Sequence, residues 1–176
     1  HRNYRGHGIR ATTISLVQGQ CLGGGFEAAL SSDVIIAERS ARFGFPEILF
    51  NLFPGMGAYS FLQRRVGREA TERMLSSGEI FSADDMLQRG IVDAVCEDGD
   101  GENAVQRWID GTRRTRNGLV GIARARRRVC GIEYGELEDV VRIWVDTAMD
   151  LTSRDLRLMQ RLVTRQDGVA RTDGLH

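Results

Sequence analysis

The chain has 176 residues, with 41% hydrophobic and 27% charged residues, which predicts one folded domain with a substantial core. Its 24 basic and 24 acidic residues balance, so net charge gives no argument for nucleic acid or a membrane surface as a partner. Every basic residue is arginine, which excludes a Schiff-base lysine and the lysine of a phosphate-binding loop.

Cysteine and histidine are sparse. Cys21, Cys96 and Cys130 lack CxxC spacing, and a reduced, cytoplasmic protein is the simplest interpretation. The histidines stand near the ends of the chain, at positions 1, 7 and 176, so we expect neither a histidine triad nor a metal site. No apolar run approaches the roughly 20 residues of a membrane span. The chain begins HRNYRGHGIR, without Met, and is interpreted as a piece of a longer protein.

The first half predicts strands alternating with short helices. The β-rich run ATTISLVQG (11–19) predicts a buried strand, and FEAALSS after the glycines predicts a short helix. DVIIAE (33–38) and ARFGF (41–45) predict two further strands. Pro46 then favours a new segment, and a Gly/Pro turn leads into a helix that ends at Gly67.

A capped helix and a final strand complete this half. Ser82 and Asp85 predict the N-cap of the helix ADDMLQRG, which Gly90 closes. The run IVDAVCE (91–97) predicts the last strand. We therefore expect an α/β unit over residues 1–100.

From about Glu102 the pattern predicts helices only. Thr152 and Asp155 resemble a capping pair before the last helix. Apolar residues at helical spacing over 133–151 are Leu137, Val140, Val141, Trp144, Ala148 and Leu151. The stretch EDGDGE (97–102) is linker-like, so we expect a second unit, an all-helical tail, over residues 101–176.

Three glycines stand between the first strand and its helix, in QGQCLGGGFEAAL (18–30). A strand, then Gly23 to Gly25, then a helix presents backbone N–H groups without side chains in front of them. Such donors favour an anion or a developing oxyanion. The alternative is a tight turn that only allows close packing.

Two glutamates lie in apolar surroundings. Glu27 falls in the first turn of the helix after the glycines, and Glu47 lies within FGFPEILF. Burial raises a carboxyl pKa, and two neighbouring carboxyls separate their pKa values, giving one proton donor and one acceptor at neutral pH. The alternative is that Glu27 caps a helix and Glu47 is a solvated turn residue.

Together, the glycines and glutamates in QGQCLGGGFEAALSSDVIIAERSARFGFPE resemble the crotonase (enoyl-CoA hydratase/isomerase) superfamily, from about Thr12 to Val95. The resemblance implies a ββα spiral core, of which this chain has the C-terminal part, followed by a helical tail. It implies that Glu27 and Glu47 are the catalytic carboxylates and that the Gly24 N–H is an oxyanion donor. It also implies a homo-oligomer, a trimer by analogy, and no cofactor.

A closer likeness, carried by EILFNLFPGMGAYSFLQRRVG, RRTRNG and IWVDTAMDL, is to the bacterial diffusible signal factor synthases. It implies dehydration of a 3-hydroxyacyl thioester on acyl carrier protein or CoA, followed by hydrolysis to a free cis-2-unsaturated fatty acid signal. A sensor kinase is a further implied partner. The acyl pocket would be lined by Leu22, Gly23, Met56, Trp144 and Leu162, although ordinary core is the alternative for the last three. Family members also have an upstream segment that supplies a second oxyanion donor, and it is missing here.

Two other functions stay open at this stage. One is a trans-2-enoyl-CoA hydratase of fatty acid degradation, and the other is a non-catalytic module that binds an acyl carrier or a sensor kinase. In the arginine-rich segment 113–129 we expect a solvated helix face, with Ile122, Ala125 and Val129 turned inward, and contact with acyl carrier protein as the alternative. Cys21 is predicted to be a small buried side chain, not a nucleophile, because no histidine is near it.

Overall fold

The computed structural model describes residues 11–172, with side chains described up to residue 164. The strands are β1 Ile14–Val17, β2 Gln20–Leu22, β3 Val34–Glu38, β4 Arg42–Gly44, β5 Ile80–Ser82 and β6 Ala94–Cys96. The helices are α1 Gly24–Leu30, α2 Ala58–Val66, α3 Arg68–Ser77, α4 Ala83–Gln88, α5 Gly101–Thr112, α6 Arg116–Cys130, α7 Tyr134–Met149 and α8 Ser153–Thr172. Two 3₁₀ helices span Pro46–Phe50 and Arg113–Thr115. The three histidines lie outside the described residues.

The strands form two sheets between which the chain alternates. One sheet has the order β1-β3-β6 and is parallel, with Ile14 opposite Val34. The other has the order β2-β4-β5, with β2 and β4 parallel and Gln20 opposite Arg42, while β4 and β5 are antiparallel. The segment from β1 to β4 is therefore a coil that adds one strand to each sheet in every turn.

Strand β3 lies between two apolar layers. Ile35 and Ala37 belong to the larger core cluster, which contains α1, α2 and α4 side chains. Val34 and Ile36 face a smaller cluster that includes Trp108 of α5. Burial on both faces explains why the run VIIA is continuously apolar and does not alternate.

A group of phenylalanine rings fixes α1 against β4. The rings of Phe26 and Phe43 meet edge to face with centroids 5.1 Å apart, and Phe26 stacks on Phe45 at 4.8 Å. All three side chains are almost fully buried. Because Phe26 precedes Glu27 and Phe45 precedes the turn of Glu47, this packing fixes the backbone positions of both glutamates.

The tail is helical, as expected, and α7 is joined to α2. The guanidinium of Arg64 donates to both carboxylate oxygens of Glu136, at 2.8 and 2.6 Å. The predicted pair Thr152 and Asp155 is confirmed as a cap, since the Asp155 carboxylate accepts from both the Thr152 N–H and its hydroxyl. Whether residues 1–100 and 101–176 are separate units stays a prediction.

Helix α6 has the expected solvated face, with Arg124 and Arg128 exposed, but the expectation of an inward-facing apolar side is wrong. Ile122 is 65% exposed and Val129 is 81% exposed, and Ala125 is exposed as well. The half-buried positions are instead Val120, Ala123 and Arg127. Nothing in the described part of the chain covers the apolar side that the pattern predicts to face inward. None of the helices described is both long and apolar enough to cross a membrane.

Candidate active site

The glycine turn joins β2 to α1 and leaves the amides of Gly24 and Gly25 without a hydrogen-bond partner among the described residues. Gly23 adopts φ 52° and ψ −124°, a conformation that disfavours residues with a side chain. Its N–H donates to the Gly44 carbonyl at 2.9 Å. The N–H of Gly24, the first residue of α1, has no hydrogen-bond partner among residues 11–172. The turn therefore presents a main-chain donor where the predicted oxyanion site requires one.

Glu27 is buried and caps the N-terminus of another helix, α2. Its side chain is 3% exposed, and its Oε1 accepts from the N–H groups of Met56 at 2.7 Å and Ala58 at 3.0 Å. Ala58 is the first residue of α2, so the carboxylate caps this helix and not its own. Burial raises the pKa of Glu27, and the two amide hydrogen bonds oppose that rise by stabilising the ionised form.

Glu47 lies on the 3₁₀ helix that Pro46 begins, and its carboxyl group is turned toward the glycine turn. A Cβ on Gly23 would overlap Glu47 Oε1. Glu47 Oε2 is buried and has no hydrogen-bond partner in the described structure. Burial, with a further contribution from the charge of Glu27, raises the pKa of Glu47 to about 7. The alternative of a solvated turn residue is therefore wrong for this glutamate.

The two carboxyl groups thus differ in environment. Glu27 accepts two amide hydrogen bonds, which stabilise its ionised form, whereas Glu47 Oε2 has no partner in the described structure and burial raises the pKa of Glu47 to about 7. Both glutamates adjoin the glycine turn: Glu27 lies on the helix that follows it, and Oε1 of Glu47 lies against Gly23. A proton acceptor, a proton donor and an oxyanion donor in one place can add water to, or remove it from, a bond next to a carbonyl.

The predicted acyl-pocket residues differ in their exposure and in the segments that they contact. Met56 is 63% exposed, and its Cε lies over Gly24, 2.6 Å from where a Cβ would be. Leu22, at the end of β2, is half-buried. Trp144 lies against Gly55, behind the turn that carries Met56. Leu162 is half-buried on α8, the helix that packs against the 3₁₀ helix of Glu47.

A cavity of about 620 Å³ lies elsewhere in the molecule. It opens at the C-terminal end of α1, between Leu30, Phe61 of α2 and Arg127 of α6. Neither glutamate nor any residue of the glycine turn lines it. The cavity therefore gives no support to an acyl pocket at the predicted position.

Sequence reasoning missed the partners of Glu27. The amides of Met56 and Ala58 flank Gly57, which has φ 114°, and Gly55 supports the ring of Trp144. The motif PGMG is the available signal, since two glycines with one residue between them indicate an unusual backbone path. Cys21, in contrast, is buried as predicted, and burial raises the pKa of its thiol to about 11.

Similarity to known proteins agrees with this geometry. Residues 7–116 match the family model described as enoyl-CoA hydratase/isomerase. The chain is 43% identical over 82 residues to a 2,3-dehydroadipyl-CoA hydratase of Escherichia coli K12, covering 47% of this chain and 32% of that protein. It is 39% identical over 88 residues to a mitochondrial enoyl-CoA hydratase of Pongo abelii, covering 50% of this chain and 30% of that protein. These matches span about a third of each relative.

Structural similarity extends further along the chain. The crystal structure of a carnitinyl-CoA hydratase from Mycobacterium avium aligns with a TM-score of 0.69 and 30% identity, over 86% of this chain and 59% of that one. The alignment includes part of the helical tail and confirms the predicted crotonase-like fold. Since the family model matches more than half of the residues, and the glycine turn with both glutamates falls inside that match, the chain belongs to the enoyl-CoA hydratase/isomerase family.

Proposed function

We propose that this chain carries the catalytic centre of a hydratase that adds water to 2-enoyl-CoA thioesters. The observation that carries the proposal is the pair of carboxyl groups next to the glycine turn: Glu27 held by two N–H groups, and Glu47 lying against Gly23 with a buried Oε2 that has no partner in the described structure. The named relatives are CoA hydratases, which supports the same class of reaction.

The hydratase fits better than the synthesis of a cis-2-unsaturated fatty acid signal. The relatives support neither hydrolysis of the thioester nor acyl carrier protein or a sensor kinase as a partner. A CoA thioester that remains intact is therefore the proposed substrate and product form.

In the proposed reaction the thioester oxygen accepts a hydrogen bond from Gly24. Ionised Glu27 takes a proton from the water whose oxygen bonds to C3, and protonated Glu47 gives its proton to C2. The double bond between C2 and C3 becomes a single bond, and the proton count balances, since one carboxyl gains the proton that the other loses. The pKa of about 7 at Glu47, and the two amide hydrogen bonds that stabilise ionised Glu27, support this assignment of roles.

The test is a hydration assay with 2-enoyl-CoA thioesters of increasing chain length, on the protein as its gene encodes it. We expect a 3-hydroxyacyl-CoA product with its thioester intact and kcat/KM that declines above about pH 7, where Glu47 loses its proton. Glu27→Gln and Glu47→Gln should each lower kcat by about 10²–10⁴-fold. The control is Glu69→Gln, an exposed glutamate on α3 that should leave kcat unchanged. A released free acid would contradict the hydratase.

The predicted homo-oligomer is a second part of the proposal. Exposed apolar side chains are concentrated on the tail, among them Val141, Ile143 and Met149 of α7. Covering such a surface is a common reason for self-association. Sedimentation analysis of the purified protein checks the expected assembly, and a monomer at all concentrations would contradict it.

A further inference from the structure

Helix α7 supports the turn that holds Glu27. The indole of Trp144 packs directly on the main chain at Gly55, so closely that a Cβ on Gly55 would overlap the ring. Seven residues earlier, on the same face of the helix, Leu137 lies against Gly57, with its Cδ2 3.0 Å from where a Cβ would be. Both contacts are made to glycines, so the tail touches the backbone itself.

The supported turn carries both hydrogen-bond donors of Glu27. Met56 follows Gly55 and Ala58 follows Gly57, and their N–H groups bond to the same oxygen, Oε1, at 2.7 and 3.0 Å. Hydrogen bonds weaken steeply with misalignment. A shift of the turn therefore changes both bonds at once and leaves the buried carboxylate without compensation.

The ion pair between Arg64 of α2 and Glu136 of α7 holds these two helices together, so α7 is anchored independently of Trp144. Loss of the indole would then open a gap next to Gly55 while α7 stays in place. The structure around such a gap relaxes partially. The turn 54–57 borders this gap directly, because Gly55 is in contact with the ring.

From these contacts we infer that Trp144 is a positioning residue for Glu27, acting through the Gly55 turn, and not chiefly part of an acyl pocket. The inference rests on the proposed function for its catalytic consequence. Its structural core, the link from indole to turn to carboxylate, can be measured without turnover.

The experiment compares Trp144→Ala with Trp108→Ala. Both remove a half-buried tail indole, but Trp108 packs against the smaller core cluster and is not among the residues nearest Gly55 and Gly57. Titration of Glu27 is followed by its ¹³C carboxyl shift in a Glu47→Gln background. Glu47 is the charged group coupled to Glu27, whereas Arg65 lies at the far end of α1, bonded to the Ser32 carbonyl.

We expect Trp144→Ala to raise the midpoint of Glu27 by about one pH unit, because weaker amide bonds no longer favour the charged form. Trp108→Ala should leave the midpoint unchanged, and Trp144→Phe, which keeps a ring on Gly55, should keep the midpoint close to that of the wild type. With Glu47 intact, the acidic limb of kcat/KM should move upward by the same amount, and kcat should fall more than about 10-fold with little change in KM.

A raised KM with an unchanged Glu27 midpoint would overturn the inference, since that result describes a residue that only lines a pocket. An equal midpoint shift in Trp108→Ala would overturn it as well. Should Trp144→Ala not fold, Gly55→Ala, which presses on the ring from the other side, must shift the midpoint for the inference to stand. A shifted midpoint in a protein without hydratase activity would support the positioning role and contradict only the proposed function.

Discussion

The carboxyl group of Glu47 fills the space that a side chain on Gly23 would occupy. The residues are 24 positions apart, yet the Gly23 N–H bond to Gly44 brings the turn over the strand that leads to Glu47. Because Gly23 has no side chain, it leaves space for the Glu47 carboxyl group. Gly24 and Gly25 do not have this role.

This difference predicts unequal responses to alanine across the triplet. Gly23→Ala should lower the free energy of unfolding by about 3 kcal/mol, because it combines a strained positive φ with overlap on Glu47. Gly25→Ala is the matched control: a Cβ there meets nothing within 4 Å and the position is helical, so stability should rise by about 0.5–1 kcal/mol. Urea unfolding measures both changes. Equal effects would show that the turn does not distinguish the two positions.

Glu47 should make stability depend on pH. Its pKa is raised from 4.5 to about 7 in the folded protein, so the native state holds a proton that the unfolded chain releases. Stability from this group is complete below pH 4.5 and is lost as pH rises through 7. Glu47→Gln should therefore increase the free energy of unfolding by about 1–2 kcal/mol at alkaline pH, with partial exposure limiting the gain. The difference between variant and wild type should shrink in acid. A constant difference across the range would be inconsistent with the raised pKa.

For Glu27, we expect a separation of stability from activity. Glu27→Gln keeps an oxygen acceptor for the amides of Met56 and Ala58, and should stay within about 1 kcal/mol of wild type while losing turnover. Glu27→Leu leaves both buried donors unpaired and should cost about 2–3 kcal/mol. Thermal unfolding of the two variants side by side checks this, and equal losses would argue against a capping role for the carboxylate.

Arg64 should contribute far more to stability than an exposed arginine in a similar ion pair. Besides Glu136, it donates to the carbonyls of Cys130 and Gly131, and so joins α2 to the α6–α7 connection. Arg64→Met should cost about 2–3 kcal/mol. Arg73→Met, which breaks an exposed helical pair with Glu69, should cost less than about 0.5 kcal/mol. Denaturant midpoints provide the comparison, and similar losses would mean that the Arg64 contacts are not maintained in solution.

The longer elements were predictable from sequence because each carries its own pattern. The apolar run of β3, the capping box of Ser82 and Asp85, and the helical spacing of α7 all appear where predicted. The strands β2 and β5 were missed because neither lies in an apolar run of its own: β2 runs directly into the glycines, and β5 ends at the cap residue Ser82, whereas the equally short β4 and β6 lie within longer apolar runs. Helix α3 was missed because Gly67 was interpreted as an end and not as a break between two helices.

The residues of the site could be predicted from the sequence, but the hydrogen-bond partners of Glu27 could not. Glu27, Glu47 and the glycines could be identified from local motifs, whereas the amides that hold Glu27 lie 29 and 31 residues away. Such a partner is set by how α2 packs on α1, which no local pattern records. The inward face of α6 was mispredicted for a related reason: amphipathic spacing shows which side is apolar, not whether another element covers it.

The alternation of β1 to β4 between two sheets also restricts how the protein can diverge. An inserted or deleted residue between Val17 and Gln20 would put one sheet out of phase with the other and turn side chains to the opposite face. Length variation in the connection between β1 and β2 is therefore restricted. If the proposed function holds, exchange of single side chains beside the glycine turn, such as Met56 over Gly24, is the simpler route to a new acyl selectivity.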